Sequence, residues 1–438
     1  MNEKLIVKID DLDMNGLGIA HKENRTIFID NALPQELIEC DIIKQKNSLL
    51  FAKNTKIIEK SDLRTTPLCP YFNLCGGCDI QHLNYEKALE FKKQQLLLTF
   101  KKVANIDIKN LNIIASDKNY FYRNKISMKI DEINNKKVLC LYKKNSHDSV
   151  KIDSCKIMNE QFDYVIKCVN EYLDICNLKV YNEKTKKGEL KHLVCRIINN
   201  DLLLTFVLHD NKNLNDIEIL YKKLTAKFKN VGINKNINKS DKEILSYNFI
   251  NLIGKNEIKF NSLNINQKIT NGSFLQVNNF IASEIYSFVL KNISGNIVNC
   301  YSGAGLLSSI LAKNNINNKI YAIEINKEAH KLAQILKQEN NVLNLENFCG
   351  DAGTVLDKLN LKDYNLVLDP PKSGIDDKMI NVILKNLPKK IIYISCDKNS
   401  LAKNLKMFFN KYNLTNVTAF DMFPQTKNLE TVVILEKK

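Results

Sequence analysis

Several features are missing from this 438-residue sequence, and each absence narrows what the chain can encode. No run of roughly 18 apolar residues occurs, which excludes a membrane-spanning helix. The first residues, MNEKLIVKID, hold no apolar segment followed by small residues, so we expect a cytoplasmic protein with no secretory signal and no membrane partner. No repeat of about 20–50 residues is visible, which excludes a solenoid. Tryptophan is absent as well, but its absence excludes nothing.

The charge of the chain is strongly positive. Lysine and arginine number 64 against 48 aspartate and glutamate, so the net charge is +16. Such an excess favours a polyanionic partner, with RNA or DNA before an anionic membrane. The alternative is compositional drift, because Lys, Asn and Ile are abundant in the way that an AT-rich genome produces.

Twelve cysteines are the second unusual feature. A reducing cytoplasm keeps cysteines as thiols, so clustered ones predict metal ligands or nucleophiles rather than disulfides. Cys69, Cys75 and Cys78 form such a cluster, and Gly76 and Gly77 let the chain bend around a metal. Three thiolates need a fourth ligand from elsewhere, and both zinc and an iron–sulfur cluster are compatible with them. Unligated cysteines in a flexible loop are the alternative.

The chain divides into three predicted domains. Residues 1–60 alternate short apolar runs with turn residues, which predicts a small β-barrel of the OB type. Residues 61–265 mix strands, a helix over about 83–104 and basic loops, and predict a central α+β domain. Residues 266–438 alternate apolar strands with helices, which predicts an α/β domain built on an open, mostly parallel, Rossmann-like sheet.

Glycines and acidic residues follow the first three predicted strands of the last segment. Ser302-Gly303-Ala304-Gly305 follows the strand at 297–301, Glu324 ends the second strand, and Asp351 follows the third. Glycines let a ligand approach the backbone, and a carboxylate at the second position accepts ribose hydroxyls. The sequence lacks the G-x-G-x-x-G and G-x-x-x-x-G-K-S/T motifs, which argues against NAD and ATP and favours S-adenosylmethionine. Incidental turn residues on such a sheet are the alternative.

Three reactive side chains follow in the remaining strands. Asp369 begins the stretch Asp369-Pro370-Pro371-Lys372, Cys396 precedes a helix, and Glu430 starts the last strand. A helix N-terminus favours a thiolate, although burial as a small apolar residue is the commoner role of a lone cysteine. A thiolate that adds to C6 of a pyrimidine turns C5 into a carbon nucleophile for a methyl group, and a general base then removes the C5 proton. Cys396, Glu430 and Asp369 fit the nucleophile, the general base and the group that holds the pyrimidine edge.

The last third of the chain resembles the RNA uracil-C5 methyltransferases. The resemblance rests on five ordered motifs: FLQVN at 274–278, YSGAG at 301–305, DPPKSG at 369–374, SCD at 395–397 with Leu401-Ala402, and DMFPQT at 421–426 with Glu430. It implies that Cys396 is the nucleophile and Glu430 the base. It also implies that S-adenosylmethionine or the uracil is contacted by Gln276, Tyr301, Glu324, Asp351 and Asp369.

The first two segments resemble one branch of this family, which methylates 23S ribosomal RNA. The resemblance implies that the barrel is a TRAM domain and that a 4Fe-4S cluster is held by Cys69, Cys75, Cys78 and Cys155. It implies an enzyme that forms 5-methyluridine in 23S rRNA, and with no protein partner evident we expect a monomer. Tyr122-Arg123-Asn124-Lys125 and Lys191 to Arg196 also match family patterns, since an aromatic side chain beside cations suits a splayed RNA base.

Three other functions remain open from the sequence. A tRNA uracil methyltransferase is one, although such relatives generally lack the barrel and the cluster. An RNA cytosine-C5 methyltransferase is less favoured, because that class carries a second cysteine beside the proline of the Asp369 motif. An inactive RNA-binding assembly factor is the third, and the retention of both Cys396 and Glu430 weighs against it.

The chain departs from the family pattern at four positions. Asn299 replaces the usual Asp, Ser302 a Cys, Lys372 an Arg and Asn428 a His. The loss of arginine matters most where it makes a bidentate contact, because lysine is only a point charge. None of the four changes removes the nucleophile or the base, so we expect an active enzyme.

Overall fold

The computed structural model describes residues 4–438. The first three residues of the predicted barrel lie outside this range. Within residues 4–438, no helix is both long enough and apolar enough to cross a membrane.

The strands between residues 4 and 59 form one sheet in the order β1-β5-β6-β4-β3-β2. Their bounds are β1 Lys4–Lys8, β2 Asp11–Leu12, β3 Gly18–Lys22, β4 Arg25–Asp30, β5 Leu37–Lys46 and β6 Leu49–Glu59. Only two residues separate β1 from β2, yet these strands lie at opposite edges of the sheet, so the sheet must curl until its edges meet. Along β1 buried and exposed residues alternate, which places Leu5 and Val7 inside. The predicted small barrel is confirmed.

A helix connects the barrel to the rest of the molecule. Asn84 accepts a hydrogen bond from the Glu86 N–H at 3.0 Å and starts α1 (Tyr85–Thr99), which a π-helical turn, Phe100–Ala104, extends. The helix predicted over 83–104 is therefore confirmed. The next strand, β7 (Asn112–Ile114), pairs in parallel with residues 418–420 and so joins the C-terminal sheet, although the sequence pattern places it in the central segment.

The central sheet has the order β10-β9-β8-β11-β12-β13-β14. Its strands are β8 Lys125–Ile133, β9 Lys136–Tyr142, β10 Ser149–Lys151, β11 Leu190–Ile198, β12 Asp201–Leu208, β13 Asn230–Ile237 and β14 Phe249–Gly254. Two helices, α2 Phe162–Ile175 and α3 Ile217–Thr225, cover one face. Residues such as Phe162, Val169 and Tyr172 recur at helical spacing along α2 and pack on Phe206 of the sheet. The predicted α+β character of this segment follows from that packing.

The C-terminal sheet has the order β19-β18-β17-β20-β21-β23-β22-β7. A hairpin of β15 Ile258–Ser262 and β16 Ile265–Ile269 precedes it and packs into its core. The strands are β17 Asn296–Cys300, β18 Ile320–Glu324, β19 Leu345–Cys349, β20 Tyr364–Leu368, β21 Lys390–Ser395, β22 Tyr412–Phe420 and β23 Glu430–Lys437. The helices are α4 Asn279–Asn292, α5 Leu306–Asn314, α6 Lys327–Glu339, α7 Ala352–Leu359, α8 Asp377–Asn386 and α9 Lys398–Phe408.

Helices cover both faces of this sheet, so its strands are buried on both sides. Along β17, Ile297 packs into one core and Val298 into the other, and both are fully buried. Such strands appear in a sequence as continuous apolar runs, which is why the run at 297–301 is informative. The strands β17 to β21 are parallel and β23 is antiparallel to β21. The predicted open, mostly parallel sheet is confirmed.

Candidate active site

The parallel strands bring three predicted site residues to one edge of the sheet. The registers align the carboxyl ends of β17, β18 and β20. Tyr301, Glu324 and Asp369 stand at those ends and therefore lie side by side. Ligands of open α/β sheets bind at this edge.

The two predicted catalytic residues meet through an antiparallel pair of strands. Ser395, the last residue of β21, is paired with Thr431 of β23. Cys396 follows the first and Glu430 precedes the second, so the thiol and the carboxyl group come from adjacent ends of neighbouring strands.

A cavity of about 640 Å³ lies over this edge. Five of the predicted residues line it: Gln276, Tyr301, Asp369, Cys396 and Glu430. Glu324 and Asp351 are not part of its wall. We call it the first cavity.

Glu324 shapes the first cavity indirectly. Its two carboxylate oxygens accept hydrogen bonds from the N–H groups of Gly303 at 2.8 Å and Asn326 at 2.7 Å.

Gly305 begins the next helix at a φ of 82°, and a Cβ there would lie 2.7 Å from that of Ala333. Only glycine fits such a position, which explains the glycine in the predicted motif.

Asp351 serves as the cap of α7. Its Oδ1 accepts from the Thr354 N–H at 2.9 Å and from Lys378 Nζ at 2.7 Å. Hydrogen bonds from Lys378 and Thr354 lower the pKa of this carboxyl group to about 2. A contact with a cofactor through its other oxygen stays a prediction.

Two carboxyl groups in the first cavity hold their protons unusually tightly. Burial raises the pKa of Asp369 to about 7. Burial, together with the negative charge of Asp369, raises the pKa of Glu430 to about 8, and Lys372 acts in the opposite direction. Carboxyl groups near neutral pKa are suited to proton transfer at physiological pH.

The predicted preference of Cys396 for the thiolate form is wrong. Burial and the charges of Glu430 and Asp369 raise the pKa of the thiol to about 11, and Lys372 opposes them. The prediction rested only on the helix that follows. That helix is capped by Asp397, which accepts from the N–H groups of Asn399 at 3.0 Å and Ser400 at 2.8 Å. The carboxyl groups that oppose ionisation come from other strands.

A buried ion pair, missed in the sequence, holds the segment before Glu430. Lys92 of α1 donates to Asp421 Oδ1 at 2.5 Å and to the Phe423 carbonyl at 3.1 Å. Tyr85 donates to Asp421 Oδ2 at 2.8 Å. Lys92 lies four residues before Leu96 on the buried face of α1. A lysine at an otherwise apolar position of a helix is the sequence feature that could have predicted a buried ion pair.

The two aromatic–cation segments of the central domain are mainly buried. Tyr122 is 8% exposed and donates to the Pro424 carbonyl at 3.0 Å, while Lys191 and Arg196 are 5% and 0% exposed. Their interpretation as an RNA-contacting surface is wrong for these three residues. Arg123 alone of this group lines the first cavity.

The four cysteines predicted as metal ligands line a separate cavity of about 350 Å³. Among residues 4–438, no three His, Cys, Asp or Glu side chains converge closely enough to hold a single metal ion. The predicted metal centre is therefore not shown. Burial and the neighbouring thiols raise the pKa values of Cys75 and Cys78. The same causes raise the pKa of Cys155 to about 11.

A multi-iron cluster makes a different demand on the same four cysteines than a single ion does. Four ligands at the zinc–sulfur distance of about 2.3 Å would lie within roughly 4 Å of one another, whereas a multi-iron cluster spaces its ligands more widely. The Gly77 N–H already donates to Cys75 Sγ at 3.3 Å. Arg123 and Lys125 add positive charge to the wall of this cavity, which suits an anionic occupant.

Comparison with known proteins agrees with this geometry. The family model described as tRNA (Uracil-5-)-methyltransferase matches residues 84–438, and the TRAM domain model matches residues 2–54. The chain belongs to the uracil-5 family of S-adenosylmethionine-dependent RNA methyltransferases. Its predicted N-terminal TRAM domain is confirmed.

Relatives of similar length share the whole chain. An uncharacterized RNA methyltransferase of Clostridium acetobutylicum is 31% identical over 100% of this chain and 97% of its own length. Another from Staphylococcus epidermidis is 31% identical over 100% of this chain and 98% of its own length. The crystal structure of Pyrococcus abyssi tRNA (uracil-54, C5)-methyltransferase, in complex with S-adenosyl-L-homocysteine, has a TM-score of 0.78 and 24% identity. That likeness covers 98% of this chain and all of the other, and it shows the class I methyltransferase fold.

The four departures from the family pattern all lie on the first cavity. Asn299 donates to Ser308 Oγ at 2.8 Å, and its buried Oδ1 has no partner within residues 4–438. Gln267, which no sequence motif singled out, also lines this cavity with an unpartnered buried Oε1. These two buried carbonyl oxygens are free to accept hydrogen bonds from a ligand in the cavity.

Replacing Asp369 with asparagine should stabilise the fold above neutral pH. The folded protein raises the pKa of this carboxyl group from 3.8 to about 7, so the unfolded chain releases its proton first as pH rises. Stability is therefore lost between about pH 4 and pH 7, by on the order of 4 kcal/mol in full. The asparagine side chain has no proton to lose, and we expect the melting temperature of Asp369→Asn to exceed that of the parent by several degrees at pH 8 and less at pH 5.

Thermal unfolding followed by circular dichroism between pH 5 and pH 8.5 measures this difference. The control is Asp363→Asn, an equal change at a side chain that is 79% exposed. If the melting temperatures of the parent and Asp369→Asn changed equally with pH, burial of the Asp369 carboxylate would have no cost in folding stability.

Proposed function

We propose that the protein transfers the methyl group of S-adenosylmethionine to C5 of a uridine in 23S rRNA and forms 5-methyluridine. The observation that carries the proposal is the convergence of Cys396, Glu430 and Asp369 on one cavity, with the thiol and the base on adjacent strand ends. This chemistry needs those three groups around one pyrimidine ring, and the target base must leave its stack to reach them.

The cofactor site follows from the residues of the same cavity. S-adenosylmethionine, when bound, supplies a methyl group on a positively charged sulfur and leaves as S-adenosylhomocysteine. Asn299 Oδ1 and Gln267 Oε1 are buried acceptors for its ammonium group. Glu324 holds the loop of Gly303 and keeps a free lone pair on each oxygen for ribose hydroxyls. Gln276 and Tyr301 complete the wall.

The reaction follows from the positions of the side chains. Cys396 first loses its thiol proton to the solvent. Sγ then bonds to C6 of the uracil, the electron pair of the C5=C6 bond moves to C5, and C5 takes the methyl group. Glu430 then accepts the C5 proton, the double bond re-forms and the C6–Sγ bond breaks. Lys372 favours the thiolate by its charge. Asp369, with a pKa near 7, has a protonated form that donates to a uracil carbonyl and accepts from N3–H.

The choice of 23S rRNA rests on the resemblance of the cysteine segment and the barrel. A tRNA substrate is the alternative, because a tRNA enzyme shares this architecture over 98% of the chain and its barrel no longer separates the two classes. Labelled S-adenosylmethionine incubated with 23S rRNA and tRNA transcripts tests both. We expect label in 23S rRNA. Label in tRNA alone overturns the rRNA assignment, and no label in either favours an RNA-binding assembly factor.

We also propose that Cys69, Cys75, Cys78 and Cys155 hold a 4Fe-4S cluster with a structural role, since methyl transfer needs no electron. Their common cavity and the cations beside it support this. The protein purified without oxygen should be brown, with about four irons per chain. Cys78→Ser should lose that iron, whereas Cys168→Ser, in α2, should retain it. A colourless protein that contains zinc would refute the cluster.

A cytoplasmic monomer that acts on RNA completes the proposal. The net charge of +16 supports an RNA partner. None of the twelve cysteines forms a disulfide within residues 4–438, which suits a reducing compartment. Light scattering after size exclusion, at the mass of 50.3 kDa, tests the monomer.

A further inference from the structure

A second cavity, of about 200 Å³, also has the nucleophile in its wall. Cys396 and Asn428 line both this cavity and the first one. Its volume is below the roughly 300–1,000 Å³ typical of sites for drug-sized molecules, so it suits a small group. Nothing in the mechanism above occupies it.

Four parts of the molecule build this second cavity, and one of them is α1, which contributes Lys92 and Leu96. The turn between β2 and β3 of the barrel contributes Asn15, the first turn of α9 contributes Lys398, and the segment before β23 contributes Lys427. Lys427 Nζ donates to Asn15 Oδ1 at 3.0 Å. The barrel therefore positions a cation of the catalytic domain in the wall of the cavity.

Two of the three lysines that line this cavity, Lys398 and Lys427, are only weakly paired. Within residues 4–438, no carboxylate lies within 4.0 Å of Lys398 Nζ, and Asp79 reaches Lys427 only at 4.0 Å. Burial and the charge of Lys427 lower the pKa of Lys398, while Asp397 and Asp13 raise it.

The nearby acids and the third lysine are already engaged. Asp397 caps α9, and Asp13 accepts from the N–H groups of Asn15 and Leu17, each at 2.8 Å. Lys92, deeper in the wall, is paired with Asp421. Of the remaining charged side chains in the wall, Lys398 and Lys427 outnumber Asp397, so the cavity carries an excess of positive charge, which favours an anion.

We propose that the second cavity binds a phosphodiester of the RNA strand next to the target uridine, through Lys398 and Lys427. The inference rests on the proposed function, because a uridine attached to Cys396 must continue into its flanking phosphates. A strand that enters here would fix the direction in which the uracil reaches the first cavity. It also gives the barrel a part in substrate alignment, through Asn15.

The test uses the full-length protein and an RNA oligonucleotide centred on the uridine that the parent labels. Binding is measured by fluorescence anisotropy over a range of salt concentrations for the parent, Lys398→Gln and Lys427→Gln. Each contact with a phosphate of a single strand contributes about 0.7 to the slope of log affinity against log salt. We expect each variant to lose about that much of the slope. Lys406→Gln, an equal charge change at an exposed position of α9, should lose none.

A neutral methylphosphonate at one linkage beside the uridine locates the contact. It should weaken binding to the parent several-fold and weaken binding to Lys398→Gln less, because one of the two lysines that contact the removed charge is absent from that variant. Equal losses for both proteins, or unchanged slopes in both lysine variants, overturn the assignment. Binding of S-adenosylhomocysteine should stay at the parental value in every variant and shows that each one is folded.

The proposed function and the phosphate site fail under different results. A parent that labels neither transcript overturns the proposed function, and this inference with it. If the parent labels its RNA but the lysine variants bind RNA as the parent does, only the assignment of a phosphate to the second cavity is overturned.

Discussion

Replacement of Cys396 with alanine is expected to abolish methyl transfer. Removal of a covalent nucleophile typically lowers turnover by about 10⁴- to 10⁶-fold. Among residues 4–438, no other cysteine lines the first cavity, so no neighbouring thiol can take the place of Cys396. Without a bond at C6, C5 of uracil is too weak a nucleophile to take the methyl group. Single-turnover incorporation of labelled methyl into the RNA measures the loss.

Two measurements separate loss of chemistry from loss of folding. Cys396→Ala should bind S-adenosylhomocysteine and RNA with affinities close to those of the parent, because alanine removes one half-buried sulfur and leaves the cap of α9 in place. Cys168→Ala, which removes a buried thiol from α2 far from both cavities, should retain activity. Residual transfer by Cys396→Ala above about one per cent would contradict its role as nucleophile.

The C-terminal sheet could be predicted because its strands have one physical signature. Strands covered by helices on both faces appear in a sequence as apolar runs, and the strand predicted at 297–301 is β17, Asn296–Cys300. Parallel strands then bring their carboxyl ends to one edge, so motifs that are far apart in the chain had to meet. The nucleophile and base could be placed together for that reason.

Long-range partners could not be predicted in the same way. The spacing of α1 shows that Lys92 faces inward, but nothing local identifies Asp421, 329 positions away, as its partner. The predicted preference of Cys396 for the thiolate form was wrong for a similar reason. A helix N-terminus is visible in the sequence, whereas the opposing charges of Glu430 and Asp369 arrive only through the pairing of β21 with β23 and β20.

The cysteine segment shows what sequence spacing can predict and what it cannot. The spacing of Cys69, Cys75 and Cys78 predicts ligands, but it does not fix how far apart their sulfurs lie. In the structure they line one cavity together with Cys155, and no three His, Cys, Asp or Glu side chains of residues 4–438 converge on a single metal ion. The distance between sulfurs decides which metal group four cysteines can hold, and sequence spacing does not determine it.

Replacement of Glu430 with glutamine is expected to trap the RNA on the protein. Glutamine keeps the size of the side chain and removes the proton acceptor, so the steps before removal of the C5 proton should continue and the final elimination should stop. The negative charge of Glu430 is also one of the causes that raise the pKa of Cys396, so its loss should favour the attacking thiolate. Turnover should fall by about 10²- to 10⁴-fold, the usual contribution of a general base. A band that joins protein and RNA on a denaturing gel measures the adduct.

The adduct must depend on the thiol and on this carboxyl group alone. Cys396→Ala combined with Glu430→Gln should give no joined band, because the bond to C6 cannot form. Glu436→Gln lies on the same strand, pairs with Lys390 at 3.2 Å near the surface, and should turn over like the parent. If Glu430→Gln gave neither turnover nor an adduct while it still bound RNA, Glu430 would act before the C5 proton is removed. Its place beside Cys396, on the partner strand of β21, would then point to deprotonation of the thiol, whose pKa of about 11 requires such an acceptor.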